Sequence, residues 1–152
     1  MFKFLFGLLS IIVVIIIVYY SSSDSYKLSL EAKVKYLMGD YTDAKALAKK
    51  AYELDPYNKM AFSIITQSKI SAKLVDYLQE SHKYLEIIKT LSKKSDFSNR
   101  DKIKIKMICE VMIAKYNKLG ANIMTDQSLQ QAVKKRYLEF KKIHEELFSE
   151  EN

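Results

Sequence analysis

An all-α fold is predicted by three features of this 152-residue sequence. Glycine and proline are scarce, with three glycines and one proline in the whole chain. Because β-hairpins need such residues at their turns, a turn-rich β fold is disfavoured. Apolar side chains recur every three to four residues, which is the period of an amphipathic helix. A long apolar run near the N-terminus adds a transmembrane helix, which we expect to precede an antiparallel stack of five or six helices.

The apolar run occupies residues 4–20 and is interrupted only by Gly7 and Ser10. As a helix it would be roughly 25 Å long, at the short end of the lengths that cross a bilayer core. Aromatic residues flank it like the interfacial belts of membrane proteins: Phe2, Phe4, Phe6, Tyr19 and Tyr20. A cleaved signal peptide is the alternative, but the run is longer than a usual signal peptide core and no Ala-x-Ala site comes after it. We predict an uncleaved anchor over residues 1–20, inserted in lipid through residues 4–20.

The charges beside this anchor favour opposite orientations. Lys3 favours an N-terminus in the cytoplasm, whereas the lysines after the anchor, among them Lys27 and Lys33, favour the reverse. The Ile- and Lys-rich, Trp-free composition is typical of an AT-rich bacterial genome. Since a very N-terminal hydrophobic segment commonly directs export of the rest of the chain in bacteria, we predict a single-pass inner-membrane protein with a periplasmic domain. A cytoplasmic domain stays open as the alternative.

A polar joint, residues 21–25, separates the anchor from a helical domain predicted over residues 26–149. Helix one is predicted from Tyr26 to Met38, with Asp24 or Ser25 as its cap. Its predicted buried face carries Leu28, Ala32 and Tyr36.

The next stretch, GDYTDAKALAKKAYELDPYN over residues 39–58, carries a distinctive pattern. Gly39 ends helix one, Asp40 caps helix two, and Pro56 ends helix two by disfavouring a helical residue before it. The pattern resembles the second half of a tetratricopeptide repeat (TPR), through Gly39, Asp40, Tyr41, Ala44, Ala51, Leu54, Asp55, Pro56 and Asn58. The resemblance covers about residues 26–58, a single unit. It implies a helical hairpin that presents a surface to another protein.

TPR grooves are lined mainly by the first helix of each hairpin. The resemblance therefore implies partner-binding positions at Tyr26, Ser29 and Lys33, and at Ser63 and Thr66 of the following helix. Repeats that clamp a C-terminal carboxylate use an Asn with several Lys or Arg. Only Lys33 fits that arrangement, so binding of chaperone tails is not implied.

The repeat pattern decays after Asn58. Residues 59–93 contain no glycine or proline, and Leu74, Leu78, Leu85 and Ile88 form one apolar stripe. One long helix and two shorter ones both fit this stretch. We predict two helices that meet near Ser71 to Lys73.

Two further helices are expected to cover the repeat. Ser98 and Asp101 form a capping-box pattern that opens a helix to Leu119, which Gly120 would end. Its predicted buried stripe is Ile105, Ile108, Met112 and Tyr116. The last helix is predicted to open at Thr125 or Asp126 and to run to Phe148. Its predicted inward side chains are Leu129, Val133, Tyr137, Phe140, Ile143 and Leu147.

Residues suited to catalysis are few. Cys109 has apolar neighbours and is expected to be buried, His82 to lie at the edge of the core, and His144 on a helix surface. No glycine-rich phosphate loop and no cluster of metal-ligating residues is present in the sequence. We therefore expect no enzymatic activity, no cofactor and no metal site.

The net charge of +7 suits acidic partners or anionic surfaces, but nucleic acid is disfavoured because the aromatic residues of the last helix are predicted to face inward. These observations predict a non-enzymatic, membrane-anchored protein–protein interaction module. Such a module would be a scaffold or accessory subunit of a bacterial cell-envelope assembly, such as a flagellar motor or a secretion apparatus. The alternative is a membrane-tethered periplasmic chaperone that holds client proteins. The first would bind one partner stoichiometrically, and the second would contact many.

Overall fold

The computed structural model describes residues 7, 9–15, 23–119 and 125–148. All regular secondary structure within these residues is helical, which confirms the predicted all-α class. The helices after the polar joint are α1 (Asp24–Leu37), α2 (Tyr41–Leu54), α3 (Lys59–Ser92), α4 (Asn99–Leu119) and α5 (Gln127–Phe148). Residue 7 and residues 9–15 are also helical and are exposed.

Much of the predicted anchor, and Gly120, the predicted end of α4, lie outside the described residues. Within the part of the chain that is described, no helix is at once long enough and apolar enough to cross a bilayer.

The chain divides into two compact units, Met1–Lys69 and Ile70–Asn152, and the division falls inside α3. In the first unit, α1 and α2 form an antiparallel hairpin. The Ser25 hydroxyl in the first turn of α1 donates a hydrogen bond of 2.7 Å to the carbonyl oxygen of Ala51 in the last turn of α2. Gly39 makes the turn between them with a φ of 82°, a left-handed conformation that glycine adopts without a steric penalty.

The caps of this hairpin agree with the sequence except at its start. The Asp40 carboxylate accepts from the backbone amide of Asp43 at 3.2 Å, which confirms it as the cap of α2. However, α1 begins at Asp24 rather than Tyr26, so neither Asp24 nor Ser25 is its cap. Ser23 holds that position and its side chain makes no capping hydrogen bond. The sequence pattern missed this because the Ser25 hydroxyl bonds to α2 instead of to its own helix.

Small side chains fill the core of the first unit. Ala32 of α1, Ala44 and Ala48 of α2 and Ile64 of α3 are buried together. Alanine lets helix backbones approach closely, because only a methyl group stands between them. Larger side chains (Tyr36, Leu47, Met60 and Ile65) pack against this cluster and are only partly buried.

The predicted break in residues 59–93 is wrong, because α3 is one continuous helix of 34 residues. Ser71, at the predicted junction, is completely buried within it. The helix continues because no glycine or proline interrupts it, and serine is tolerated inside a helix when its hydroxyl is satisfied locally. Further along α3, Ser81 shows this arrangement, since its hydroxyl donates to the Tyr77 carbonyl oxygen at 2.6 Å.

The second unit has a core of large apolar side chains contributed by α3, α4 and α5. Its fully buried members include Phe140, Ile105, Met112 and Cys109. Helices α4 and α5 pack antiparallel, with contacts at several levels, among them the stacked rings of Tyr116 and Tyr137 with centroids 4.1 Å apart. The predicted inward stripes of both helices are confirmed at Ile105, Ile108, Met112, Val133 and Phe140.

Leu147 departs from this pattern. It was predicted to face inward but is 42% exposed, because it lies in the last turn of α5 at the margin of the core.

The starts of α4 and α5 agree closely with the sequence. Ser98 and Asp101 form the predicted capping box, in which the Ser98 backbone amide donates to the Asp101 carboxylate at 3.1 Å and the Asp101 amide donates to the Ser98 hydroxyl at 3.3 Å. Lys94 adds an ion pair of 2.8 Å to the same carboxylate. At α5, the Asp126 carboxylate accepts from the Ser128 amide at 2.7 Å.

Candidate functional site

A buried polar network joins three segments of the first unit. The Asn58 side-chain amide donates to the hydroxyls of Ser25 and Ser29, at 2.8 Å in both cases. Its carbonyl oxygen accepts from the Ala61 backbone amide at 3.1 Å, so Asn58 also caps α3. Ser29 in turn donates to the Ser25 carbonyl oxygen at 2.9 Å. These hydrogen bonds link the start of α1 to the entry of α3, which gives Ser29 a structural role.

The predicted partner-binding residues therefore have different environments. Lys33 is exposed on α1, while Tyr26 is partly buried. Ser63 and Thr66 are partly buried on α3, and the Thr66 hydroxyl donates to the Phe62 carbonyl oxygen at 3.1 Å. Ser29 is completely buried, so its prediction as a surface contact is corrected: it faces Asn58 because α1 turns its small polar side chains inward.

An exposed apolar stripe covers the opposite side of α1. It consists of Leu30, Val34, Leu37 and Met38, which we call the α1 outer face. Their spacing of four, three and one residues puts all four on one side of the helix. Leu37 and Met38 are 72% and 76% exposed. Isolated exposed leucines are common, but a continuous stripe of this kind is a candidate interaction surface.

Charged residues surround the α1 outer face. Lys27 continues its line towards the N-terminus, where it forms an exposed ion pair of 3.5 Å with Asp24. Lys33 is exposed along one border of the stripe, and Glu31 is exposed along the other. The surface thus combines an apolar centre with one basic and one acidic border.

The α1 outer face was missed by sequence reasoning, although a signal for it exists. Helix α1 carries two apolar stripes, one through Leu28, Ala32 and Tyr36 and one through Leu30, Val34 and Leu37. Helical periodicity alone does not say which stripe is buried. The first is buried because its alanine fits against Ala44 and Ala48 of α2.

A cavity of about 430 Å³ opens in the second unit between α4 and α5. Amide and hydroxyl side chains dominate its polar lining, among them Asn117, Gln127 and Gln131. Gln130 also lines it and donates to the Thr125 hydroxyl at 2.7 Å. Amide and hydroxyl groups of this kind donate and accept hydrogen bonds, so the described lining offers polar contacts to a bound molecule.

The residues with catalytic potential lie apart from this cavity. Cys109 is completely buried, as predicted, and burial raises the pKa of its thiol to about 11, which keeps it protonated. His82 is exposed on α3 rather than at the edge of the core, a correction that follows from its place on the outer side of that helix. His144 is half-buried rather than on an open surface, with its ring centroid 5.4 Å from that of Phe148.

No group of three or more potential metal ligands forms among the described residues. Comparison with protein families, with curated proteins and with solved structures finds no match to this chain.

Proposed function

We propose that this chain is a non-enzymatic, membrane-anchored interaction module that docks onto another protein through the α1 outer face. The exposed stripe of Leu30, Val34, Leu37 and Met38 is the observation that carries the proposal. In a chain that binds nothing, four neighbouring apolar side chains would be exposed to water at an unfavourable free energy.

The proposed occupant is an amphipathic helix with acidic residues beside its apolar stripe. Its apolar side chains would cover Leu30, Val34 and Leu37, and its carboxylates would meet Lys33 along one border and Lys27 at the N-terminal end of the stripe. Matching of charges at the rim sets the orientation of a partner and speeds its association. A helix fits because the stripe is straight and extends over about two turns of α1.

The position of α1 supports a partner that itself belongs to a membrane assembly. Only three residues separate the predicted anchor, which ends at Tyr20, from Asp24, where α1 begins. A joint of this length would keep the α1 outer face close to the bilayer. The TPR-like hairpin would then serve as a scaffold or accessory subunit of a bacterial cell-envelope assembly, with its domain on the periplasmic side.

Site-specific photocrosslinking in intact cells tests this proposal. A photoreactive residue at Leu37 of the full-length chain should form one predominant, stoichiometric adduct, and the same residue at the exposed Ala46 of α2 should form little or none. The double substitution Val34→Glu, Leu37→Glu should abolish co-purification of that partner while helical content is unchanged.

The proposal is overturned if both positions crosslink alike, or if the double substitution leaves co-purification intact. Adducts with many different proteins at Leu37 would instead identify a tethered chaperone. An export-dependent reporter fused after Asn152 tests sidedness, since it should be active only if the domain is periplasmic.

A further inference from the structure

The second unit carries a separate apolar stripe on the exposed side of α4. Ile103, Met107 and Val111 succeed one another at intervals of four residues and are 59%, 60% and 46% exposed. Ala114 continues the same line and is exposed. The opposite side of α4 forms the core through Ile105, Cys109 and Met112, so this helix is apolar on two sides. We call the stripe from Ile103 to Val111 the α4 outer face.

Cations surround this stripe. Arg100 and Lys118 extend its line at the two ends and Lys104 borders it. All three are exposed, and none forms an ion pair with another described residue. Two other cations of α4 are engaged elsewhere: Lys115 pairs with Glu80 at 2.6 Å, and the Lys106 ammonium lies 5.3 Å from the centre of the Phe148 ring.

One acidic side chain of α4 is held away from this surface and the other borders it. The helix contains only two of them, Asp101 and Glu110. Asp101 is held in the capping box and by Lys94. Glu110 is exposed at the edge of the stripe that approaches α5, with a carboxylate oxygen 3.7 Å from His144 Nε2. The α4 outer face is therefore apolar along its centre, positive at both ends and along the border that carries Lys104, and negative at one position of the opposite border.

We propose that the α4 outer face rests on an anionic lipid surface. Its apolar side chains enter the boundary between headgroups and acyl chains, and Arg100, Lys104 and Lys118 meet the lipid phosphates. This division of apolar centre and cationic border is the one that interfacial helices use on anionic membranes.

Lipid suits the charges of this surface better than a protein partner does. None of the three cations pairs with a carboxylate of the described residues, so all three are available to lipid phosphates at whatever positions these take, whereas an acidic protein would present carboxylates at set positions. The predicted anchor at residues 4–20 would keep a bilayer within reach of the domain.

Tryptophan fluorescence provides a direct test, because the natural sequence contains no tryptophan. Full-length protein with Met107→Trp is reconstituted into liposomes that contain phosphatidylglycerol, and into others of phosphatidylcholine alone. We expect a blue-shifted emission that brominated lipids quench in the first membranes and much less in the second. The matched control is His82→Trp, which places the same reporter at an exposed position of α3.

Neutralising the three cations shows whether charge, and not only the affinity of tryptophan for membranes, holds the reporter at the lipid surface. In the Met107→Trp background, Arg100→Gln, Lys104→Gln and Lys118→Gln together should lower the ratio of membrane-bound to free α4 outer face on the order of 100-fold. This corresponds to roughly fivefold per cation near an anionic surface. Raised salt should act in the same direction.

Three results would overturn the proposal. The reporter at position 107 would be quenched no more than the one at position 82, or it would be quenched equally in both kinds of membrane. In the third, its blue shift would be independent of lipid and would grow with protein concentration, which would show that a second copy of the chain covers the stripe. Protection of the same reporter in native membranes but not in liposomes counts as the first result and indicates an acidic protein instead.

Discussion

The two units of this chain pack antiparallel helices with different kinds of side chain. In the first unit the contacts between α1, α2 and α3 are made by alanines and by the network around Asn58. In the second, α3, α4 and α5 enclose Phe140, Ile105 and Met112. A core of methyl groups buries little apolar area for each residue, whereas each large side chain of the second core removes much more area from water.

This difference determines the changes that each unit tolerates. The first depends on closeness and on specific hydrogen bonds, so it should be sensitive to added volume and to the loss of a single amide. The second unit depends on large side chains that fill its core, so it should be sensitive to substitutions that remove side-chain volume. Both leave an apolar stripe outside, the α1 outer face and the α4 outer face, because each core is completed by one side of its helices.

The largest effect is expected when volume is removed from the second unit. Phe140→Ala should lower the free energy of unfolding by about 3–5 kcal/mol, because it leaves a cavity where a ring is completely buried. Leu138→Ala on the same helix is the matched control and should change it by less than about 0.5 kcal/mol, since Leu138 is half exposed.

Hydrogen exchange read separately for each helix measures both variants, because it resolves the opening of separate regions of a fold. Amides of α4 and α5 should lose protection in Phe140→Ala and those of α1 and α2 should keep it. Equal loss of amide protection in all five helices would show that the substitution destabilises both cores to the same extent.

Removal of one amide should have the next largest effect, and it should be confined to the first unit. Asn58→Ala removes the cap of α3 and both hydrogen bonds to Ser25 and Ser29. We expect a loss of about 2–3 kcal/mol, the sum of a cap and of polar groups left unpaired. Asn117→Ala, at an exposed position of α4, serves as control in the same exchange measurement. A loss below about 0.5 kcal/mol would mean that the network contributes little.

Added volume should destabilise the first unit somewhat less. Ala48 is completely buried between helices, so Ala48→Leu should lower the free energy of unfolding by about 1–3 kcal/mol by forcing them apart. Ala46, two residues earlier and exposed on α2, accepts leucine without such a clash. Thermal unfolding of the pair followed by circular dichroism compares them directly. If Ala48→Leu and Ala46→Leu had the same effect, the stability of the first unit would not depend on the close approach of α1 and α2.

The smallest effect concerns the start of α4 and depends on pH. Hydrogen bonds from Lys94 and Ser98 lower the pKa of the Asp101 carboxyl from 3.8 to about 2. A carboxyl with a lowered pKa in the folded state stabilises it fully above its unfolded pKa and loses that effect as pH falls through the folded value. The melting temperature of Asp101→Asn should therefore lie below that of the natural chain above about pH 4, and the gap should close towards about pH 2.

Asp96→Asn, an exposed carboxyl in the loop before α4, is the control for this titration. A gap that stayed constant from neutral pH down to the folded pKa of Asp101 would assign the effect of this residue to something other than its charge.

Local features of this fold were predictable because they depend on neighbours in the sequence. The bounds of α2, its cap Asp40 and the capping box at Ser98 all rest on residues within one helical turn. The break predicted near Ser71 failed because serine and lysine permit a helix end without requiring one. The burial of Ser29 was missed because its partner Asn58 lies 29 residues away. No local sequence pattern predicts a hydrogen bond between residues so far apart in the chain.

Apolar spacing and the scarcity of glycine and proline were enough to establish that the chain is helical, where most of its helices begin and end, and which side of α4 and α5 forms a core. Three features depended on the folded molecule: which of two apolar stripes on α1 is buried, the continuity of α3, and the meeting of polar residues from distant segments at Asn58. The sequence and the folded molecule decide different things because periodicity shows which side chains share a face of a helix. Which face is buried depends on the shape of the helix packed against it.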